Sequence, residues 1–208
     1  MKYSNSDSEL TRKRYDRIAS FYDYLESPME WLGFASWRAR LRDHITGERA
    51  LEVGVGTGKN LTWYPSDIEI IAIDVSPGML AGAKKRKNML GLNAMLVEMD
   101  VQDLAFPDQF FDTVFATFVF CSVPDPVQGL RELRRVCKPG GNLILLEHMR
   151  PGGSFLGPLF DFLNPLFVRL VGANINRKTS ENILEAGWRI RKEEYLSKDI
   201  VRWIEAEP

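Results

Sequence analysis

Apolar positions along the chain change their spacing twice. Over residues 8–25, Tyr15, Ile18, Ala19, Tyr22 and Leu25 recur at steps of three and four, the mark of one apolar helical face. Arg12, Lys13, Arg14, Asp16 and Asp23 lie around that face and are expected to be solvated. Residues 26–48 predict one more helix. From Arg49 onward, short apolar runs alternate with helical segments: ALEV (50–53), IEIIAID (68–74), MLVEMD (95–100), FDTVFATFVF (111–120) and NLILLEH (142–148) predict five strands. The fourth is continuously apolar, as a central strand covered on both faces should be. Ser76 and Pro77 suit the start of a helix that ends near Gly91, and Asp125 with Pro126 opens another. KPGG (138–141) is expected to break the chain before the fifth strand. Thr179–Gly187 predicts a short helix, and 188–196 and 200–207 alternate as a closing pair of strands.

Strand and helix alternating at this rhythm imply βαβ crossovers, hence an α/β fold with a mostly parallel sheet and helices on both faces. No repeat or low-complexity linker divides the chain, so a single domain over 1–208 is expected. It has N-terminal helices over 1–48, a core over 49–148 and a cover with closing strands over 149–208.

Composition narrows the function. The chain has 208 residues, 45% of them hydrophobic, which excludes intrinsic disorder. A net charge of −1 disfavours a nucleic-acid partner, which would need a basic surface. Cys121 and Cys137 are too few to staple the fold and lack metal-ligand spacing, so no metal is expected. A polar N-terminus and the lack of a long apolar run suggest a cytoplasmic protein.

The sharpest chemistry is LEVGVGTGKN (51–60), directly after the first strand. Gly54, Gly56 and Gly58 allow a tight turn and close approach to a ligand. Asp74 ends the next strand, where a carboxylate accepts ribose hydroxyls in doubly wound folds. An adenosine-containing ligand at the carboxyl ends of the strands is therefore expected. A phosphate loop fails, because Gly58-Lys59 is followed by Asn60 rather than Ser or Thr. The GxGxG spacing also departs from the GxGxxG dinucleotide fingerprint. S-adenosylmethionine (SAM), which carries no phosphate, remains.

With those residues in view, ALEVGVGTG, IDVSPGML, MDVQDLAFPDQFFD (99–112) and LRRVCKPGGNLILLEH (133–148) together resemble the class I SAM-dependent methyltransferases. The resemblance implies a Rossmann-like, doubly wound, seven-stranded sheet with one antiparallel C-terminal strand. It implies SAM as cofactor and S-adenosylhomocysteine as its product. Glu52, Gly54, Gly56 and Gly58 would surround the methionine moiety, and Asp74 would take the ribose. Val75 and Met79 would pack on the adenine, Asp100 and Val101 would bind beside it, and Thr117 would line the methyl-transfer site. YDRIASFYDYLE (15–26) is similar to the lid helix of quinone-biosynthesis and phospholipid methyltransferases, which brings Tyr22 to the cofactor and Tyr15 to the site. NRKTSENILEAGW (176–188) resembles a subgroup containing thiol and phospholipid N-methyltransferases, and implies Asn176 and Arg177 near the acceptor.

Glu147 and His148, ending the fifth strand, are the candidate bases; a structural hydrogen bond is the alternative for His148. Cys121 is read as a buried, inert thiol. Over 154–172, Leu156, Leu159, Phe160, Leu163, Leu166, Phe167 and Leu170 follow helical spacing. This segment is expected to form an apolar substrate cover, with Phe160 at the acceptor, a peripheral membrane contact, or packing against the sheet. The expected activity is methyl transfer to a small apolar or membrane-associated acceptor: a thiol, a phospholipid amine or a quinone precursor. A SAM-binding scaffold without turnover and a nicotinamide oxidoreductase are the competing readings.

Overall fold

The computed structural model describes residues 5–152, 155–170, 172–197 and 199–208. Ser154 and Val171 of the apolar segment lie outside the described residues, as does the side chain of Leu170.

Seven strands form one sheet: β1 (Arg49–Val53), β2 (Glu69–Asp74), β3 (Met95–Glu98), β4 (Phe111–Thr117), β5 (Cys137–His148), β6 (Arg189–Ser197) and β7 (Val201–Glu207). Their order is β3-β2-β1-β4-β5-β7-β6. β7 runs antiparallel between β5 and β6, and the other pairs are parallel. The expected seven-stranded, Rossmann-like architecture is therefore present.

Alternation along the central strands explains burial on both faces. Val114 and Ala116 of β4, Leu143 and Leu145 of β5, and Ile204 of β7 join one core cluster with Leu130, Leu133, Ile183 and Trp188. Those last four come from or adjoin α6 (Pro126–Val136) and α8 (Thr179–Glu185). The intervening Phe115, Ile144, Leu146 and Trp203 join a second cluster with Leu41, Ile45 and Leu61. The chain leaves β1 toward β2 and β3, then returns to place β4 on the other side of β1. That reversal opens a crevice at the carboxyl ends of β1 and β4, where doubly wound folds bind ligands.

Several local expectations are corrected. Residues 8–25 are not one helix: α1 (Asn5–Ile18) stops at a turn, and α2 (Tyr22–Met29) starts anew. Residues 26–48 continue as a π-helical turn (Glu30–Phe34), α3 (Ala35–Ala39) and α4 (Leu41–His44), broken at Gly33 with φ of 114°. β4 ends at Thr117 rather than residue 120, because Phe118 turns to φ 58° and directs the chain across the strand ends. KPGG does not precede β5 but belongs to it. Pairing jumps from Phe111–Cys137 to Thr113–Asn142, so the extra residues are absorbed as a bulge. The glycine turn opens only a 3₁₀ helix (Lys59–Trp63) rather than a full crossover helix. α5 (Pro77–Leu90) follows expectation: Ser76 caps it by accepting from the Met79 N–H at 3.1 Å, and Gly91 ends it at φ 64°. Among the described residues, no side chain of α7 (Leu156–Leu170) joins either main core cluster.

Candidate cofactor cleft

The crevice is an open cleft lined by the turn after β1, the end of β2, the segment after β4 and the N-terminal helices. Its floor is the turn after β1. Gly54 has φ of 65°, and a Cβ there would sit 2.4 Å from Val119 Cγ2. At Gly56, with φ of 55°, a Cβ would meet nothing within 4 Å. That bare backbone is a cradle which a ligand can approach closely. Gly58 also has positive φ but packs on Leu61 and Ala83 rather than lining the cleft.

Asp74, at the end of β2, joins the floor to the next wall. Its Oδ2 accepts from Gly56 N–H and its Oδ1 from Ser76 N–H, both at 2.9 Å. Burial pushes this carboxyl up to about 6, against the pull of those hydrogen bonds. It both braces the glycine turn and faces the cleft. Val75, Met79, Asp100, Val101 and Thr117 also line it.

The roof comes from the N-terminal helices. Tyr15 and Tyr22 line the cleft with ring centroids 6.2 Å apart, and the Tyr15 hydroxyl lies 2.5 Å from Ser122 Oγ. Asp16 and Asp23, exposed as expected, also serve as the latches of this cap. Asp16 accepts from Ser76 Oγ at 2.5 Å and Gly78 N–H at 2.9 Å. Asp23 accepts from Thr57 Oγ1 at 2.5 Å and Arg86 Nη2 at 2.6 Å. The sequence period placed both on the polar face of a helix, but that face docks on the cofactor turns.

Beneath the floor is a buried polar network that sequence reasoning missed. Glu52, fully buried on β1, does not line the cleft. It accepts from Asn60 Nδ2 at 2.5 Å and from the Tyr64 hydroxyl. Burial raises its carboxyl to about 7 despite these donors. Arg38, from α3, donates to Asn60 Oδ1 at 3.0 Å and Thr117 Oγ1 at 2.6 Å. Arg38 and Lys59 reach the cleft wall, the two cations there among the described residues. A glutamate in an otherwise apolar strand was the available signal, because a buried carboxylate requires donors.

The candidate bases lie elsewhere. Glu147 is fully buried and outside the cleft, its Oε1 accepting from Val119 and Phe120 N–H at 2.8 and 3.1 Å. It thus holds the strand-end segment that β4 releases. His148 also lies outside, stacked on Phe118 at 6.4 Å, and burial lowers it to about 4. Cys121 is buried, and its thiol is pushed up to about 12. Phe160, Asn176 and Arg177 do not line the cleft either. Asn176 donates to Asp161 Oδ1 at 3.1 Å, and Arg177 donates to the carbonyl of Val123, a residue of the cleft wall, at 2.7 Å.

Comparison with known proteins agrees with this geometry. Residues 51–145 match a family described as a methyltransferase domain. A phosphatidylethanolamine N-methyltransferase of Cereibacter sphaeroides is 41% identical over 115 residues, 53% of this chain and 57% of that protein. The chain thus spans little more than half the length of that relative. A demethylmenaquinone methyltransferase of Staphylococcus carnosus is 33% identical over 82% of this chain and 75% of that protein. Among solved structures, a SAM-dependent methyltransferase from Thermotoga maritima, described as a possible histamine N-methyltransferase, superposes with a TM-score of 0.71. It is 21% identical and covers 95% of this chain and 99% of that one.

Proposed function

The chain belongs to the methyltransferase-domain family of SAM-dependent enzymes, and on that premise we propose that it methylates the amine of a lipid headgroup. Membership sets aside the nicotinamide reading. The cleft fits the cofactor: the bare backbone at Gly56 admits close approach, and Asp74 presents a carboxylate beside it. Asp74 would take the ribose, Asp100 the adenine amine, and Val75 with Met79 the faces of the base. Arg38 and Lys59, the cations of the wall, would hold the carboxylate of the methionine end. SAM supplies a methyl group on a positively charged sulfur, open to in-line attack by a lone pair.

The observation that carries the acceptor class is the chemistry of the wall. Among the described residues, no histidine, cysteine or glutamate lines the cleft. The two carboxylates that do, Asp74 and Asp100, serve the nucleoside. Such a site suits an acceptor that arrives nucleophilic, as an amine does after losing a proton to water. The protein then contributes orientation and exclusion of water, through the Tyr15–Tyr22 roof and its aspartate latches. A phosphatidylethanolamine N-methyltransferase among the relatives supports a lipid amine.

One observation favours a second reading, a quinone-precursor carbon: the quinone-methylating relatives align over more of the chain. Carbon acidity would demand a base, and His148, kept neutral by burial against Phe118 of the wall, is the candidate.

The test is kcat/KM for phosphatidylethanolamine in mixed micelles from pH 6 to 9, for the wild type and His148→Gln. Rates should rise with the free-amine fraction and agree within about threefold. A loss of about a hundredfold or more in the variant is the signature of general-base catalysis and would overturn the proposal.

A further inference from the structure

α7 is amphipathic the wrong way round for a helix on a protein in water. One side carries the polar contacts to the body: half-exposed Asp161 is held by Arg150 at 2.8 Å and by Asn176, and Asn164 accepts from the Ile175 N–H at 2.9 Å and meets Asn174, with Phe160, Leu163 and Val168 half-buried beside them. Gly157, on the same side, is buried against the Arg150 guanidinium. The outward stripe is apolar. Phe155, Leu159, Phe162 and Leu166 recur at steps of four, three and four, and are 76%, 38%, 81% and 53% exposed. A surface helix ordinarily turns this stripe to the core. Here hydrogen bonds tie the opposite side to the body, and among the described residues nothing covers the apolar stripe.

The chain just past the C-terminal end of α7 meets the rim of the cofactor cleft. Gly172, just past α7, lies against the Arg14 side chain of the cap, and the Asn174 N–H donates to the Cys121 carbonyl beside the cleft wall. The cap adds Phe21, Tyr24 and Leu25, each more than half exposed. Nine of the fifteen exposed large apolar side chains among the described residues therefore fall within 21–25 and 155–167, since Leu156 and Phe167 flank the stripe. Charge identifies the occupant. Arg14 packs on Gly172, Arg17 follows one turn further along α1 and Arg169 sits in the last turn of α7; none has a recorded ion pair or hydrogen bond among the described residues. A second copy would bring these cations together across a two-fold axis, whereas an anionic surface would neutralise them.

We propose that α7 and the cap tips form a membrane-docking face that lies in the headgroup layer of an anionic bilayer, with the cofactor cleft opening beside it. At 15 residues α7 is about 22 Å long, too short to span, and no described helix is long and apolar enough to cross a membrane. It suits an in-plane helix whose Phe and Leu enter the acyl boundary. The inference extends the lipid-acceptor reading by assigning where the lipid surface sits, but its test requires no turnover.

The experiment is vesicle co-sedimentation of the full chain without SAM, using phosphatidylcholine vesicles with and without phosphatidylglycerol. The wild type should sediment with anionic vesicles. Phe162→Ser with Leu166→Ser should weaken partitioning at least tenfold while leaving SAM affinity unchanged, since both side chains are already in solvent. Arg17→Gln and Arg169→Gln should each weaken it about fivefold, and only on anionic vesicles. Absence of wild-type sedimentation, or equal sedimentation by the double serine variant, overturns the docking face. So does a wild-type dimer in analytical ultracentrifugation that the serine variant abolishes. Sedimentation as expected with no methyl transfer to any lipid would leave docking standing and remove the lipid-amine acceptor.

Discussion

Replacing Glu147 by glutamine removes a buried proton-binding site while keeping its shape. In the folded chain the Glu147 carboxyl is fully buried, Oε1 accepting two backbone N–H groups and Oε2 having no hydrogen-bond partner among the described residues. Burial raises the group from 4.5 to about 7. Between those values the native state keeps a proton that the unfolded chain has released. The Glu147 contribution to wild-type stability therefore falls with rising pH, by about 1.4 kcal/mol per pH unit and about 3 kcal/mol across the window. The contribution is fully present below pH 4.5 and lost above pH 7. Glutamine keeps an oxygen for the Val119 and Phe120 N–H groups but does not titrate. Its unpaired amide donors cost a constant amount at every pH. Urea denaturation of both proteins from pH 4.5 to 8 isolates the difference, because Glu52, Asp74 and His148 titrate alike in each. The stability of the variant relative to wild type should rise by about 3 kcal/mol over that range. A difference flat within about 0.5 kcal/mol would refute the assignment of Glu147 as a protonatable brace.

Three other outcomes follow from the cleft. Asp74→Ala removes both the acceptor for the Gly56 and Ser76 N–H groups and the ribose partner, so SAM affinity by calorimetry should fall about 10- to 100-fold; unchanged affinity would contradict the placement. Gly54→Ala puts a Cβ against Val119 at a φ of 65°, and should lower stability by about 1–3 kcal/mol in denaturant titration. Asp23→Ala releases the cap from Thr57 and Arg86, so SAM dissociation in stopped flow should accelerate about fivefold or more, with little change in chain stability.

The glycine turn, Asp74 and the alternation of strands and helices are legible because each has a local cause. A strand must be apolar in the right period, a left-handed turn needs glycine, and a crossover fold puts its ligand at the strand ends. What the sequence concealed is mostly non-local. Arg38 reaches Thr117 across 79 positions, and nothing near either residue announces the pairing. Asp16 and Asp23 occupy the polar side of an amphipathic pattern, and periodicity cannot distinguish a face turned to solvent from one docked on polar partners. α7 posed the same ambiguity in reverse. Its apolar spacing was plain, but only the inward hydrogen bonds of Asp161 and Asn164 reveal that the stripe points outward. A place at the end of a strand makes Glu147 and His148 look like bases. The turn at Phe118 instead leaves Glu147 buried and His148 half-buried, both outside the cleft lining.

The most direct measurement is identification of the methylated product. Methyl-labelled SAM would be incubated with the full chain and vesicles containing both phosphatidylethanolamine and a demethylated quinone, and the lipids resolved by mass spectrometry. Label on the headgroup nitrogen, with none on the quinone ring, is the expected result. Label on the ring carbon, or SAM bound without transfer to any acceptor, would contradict the account.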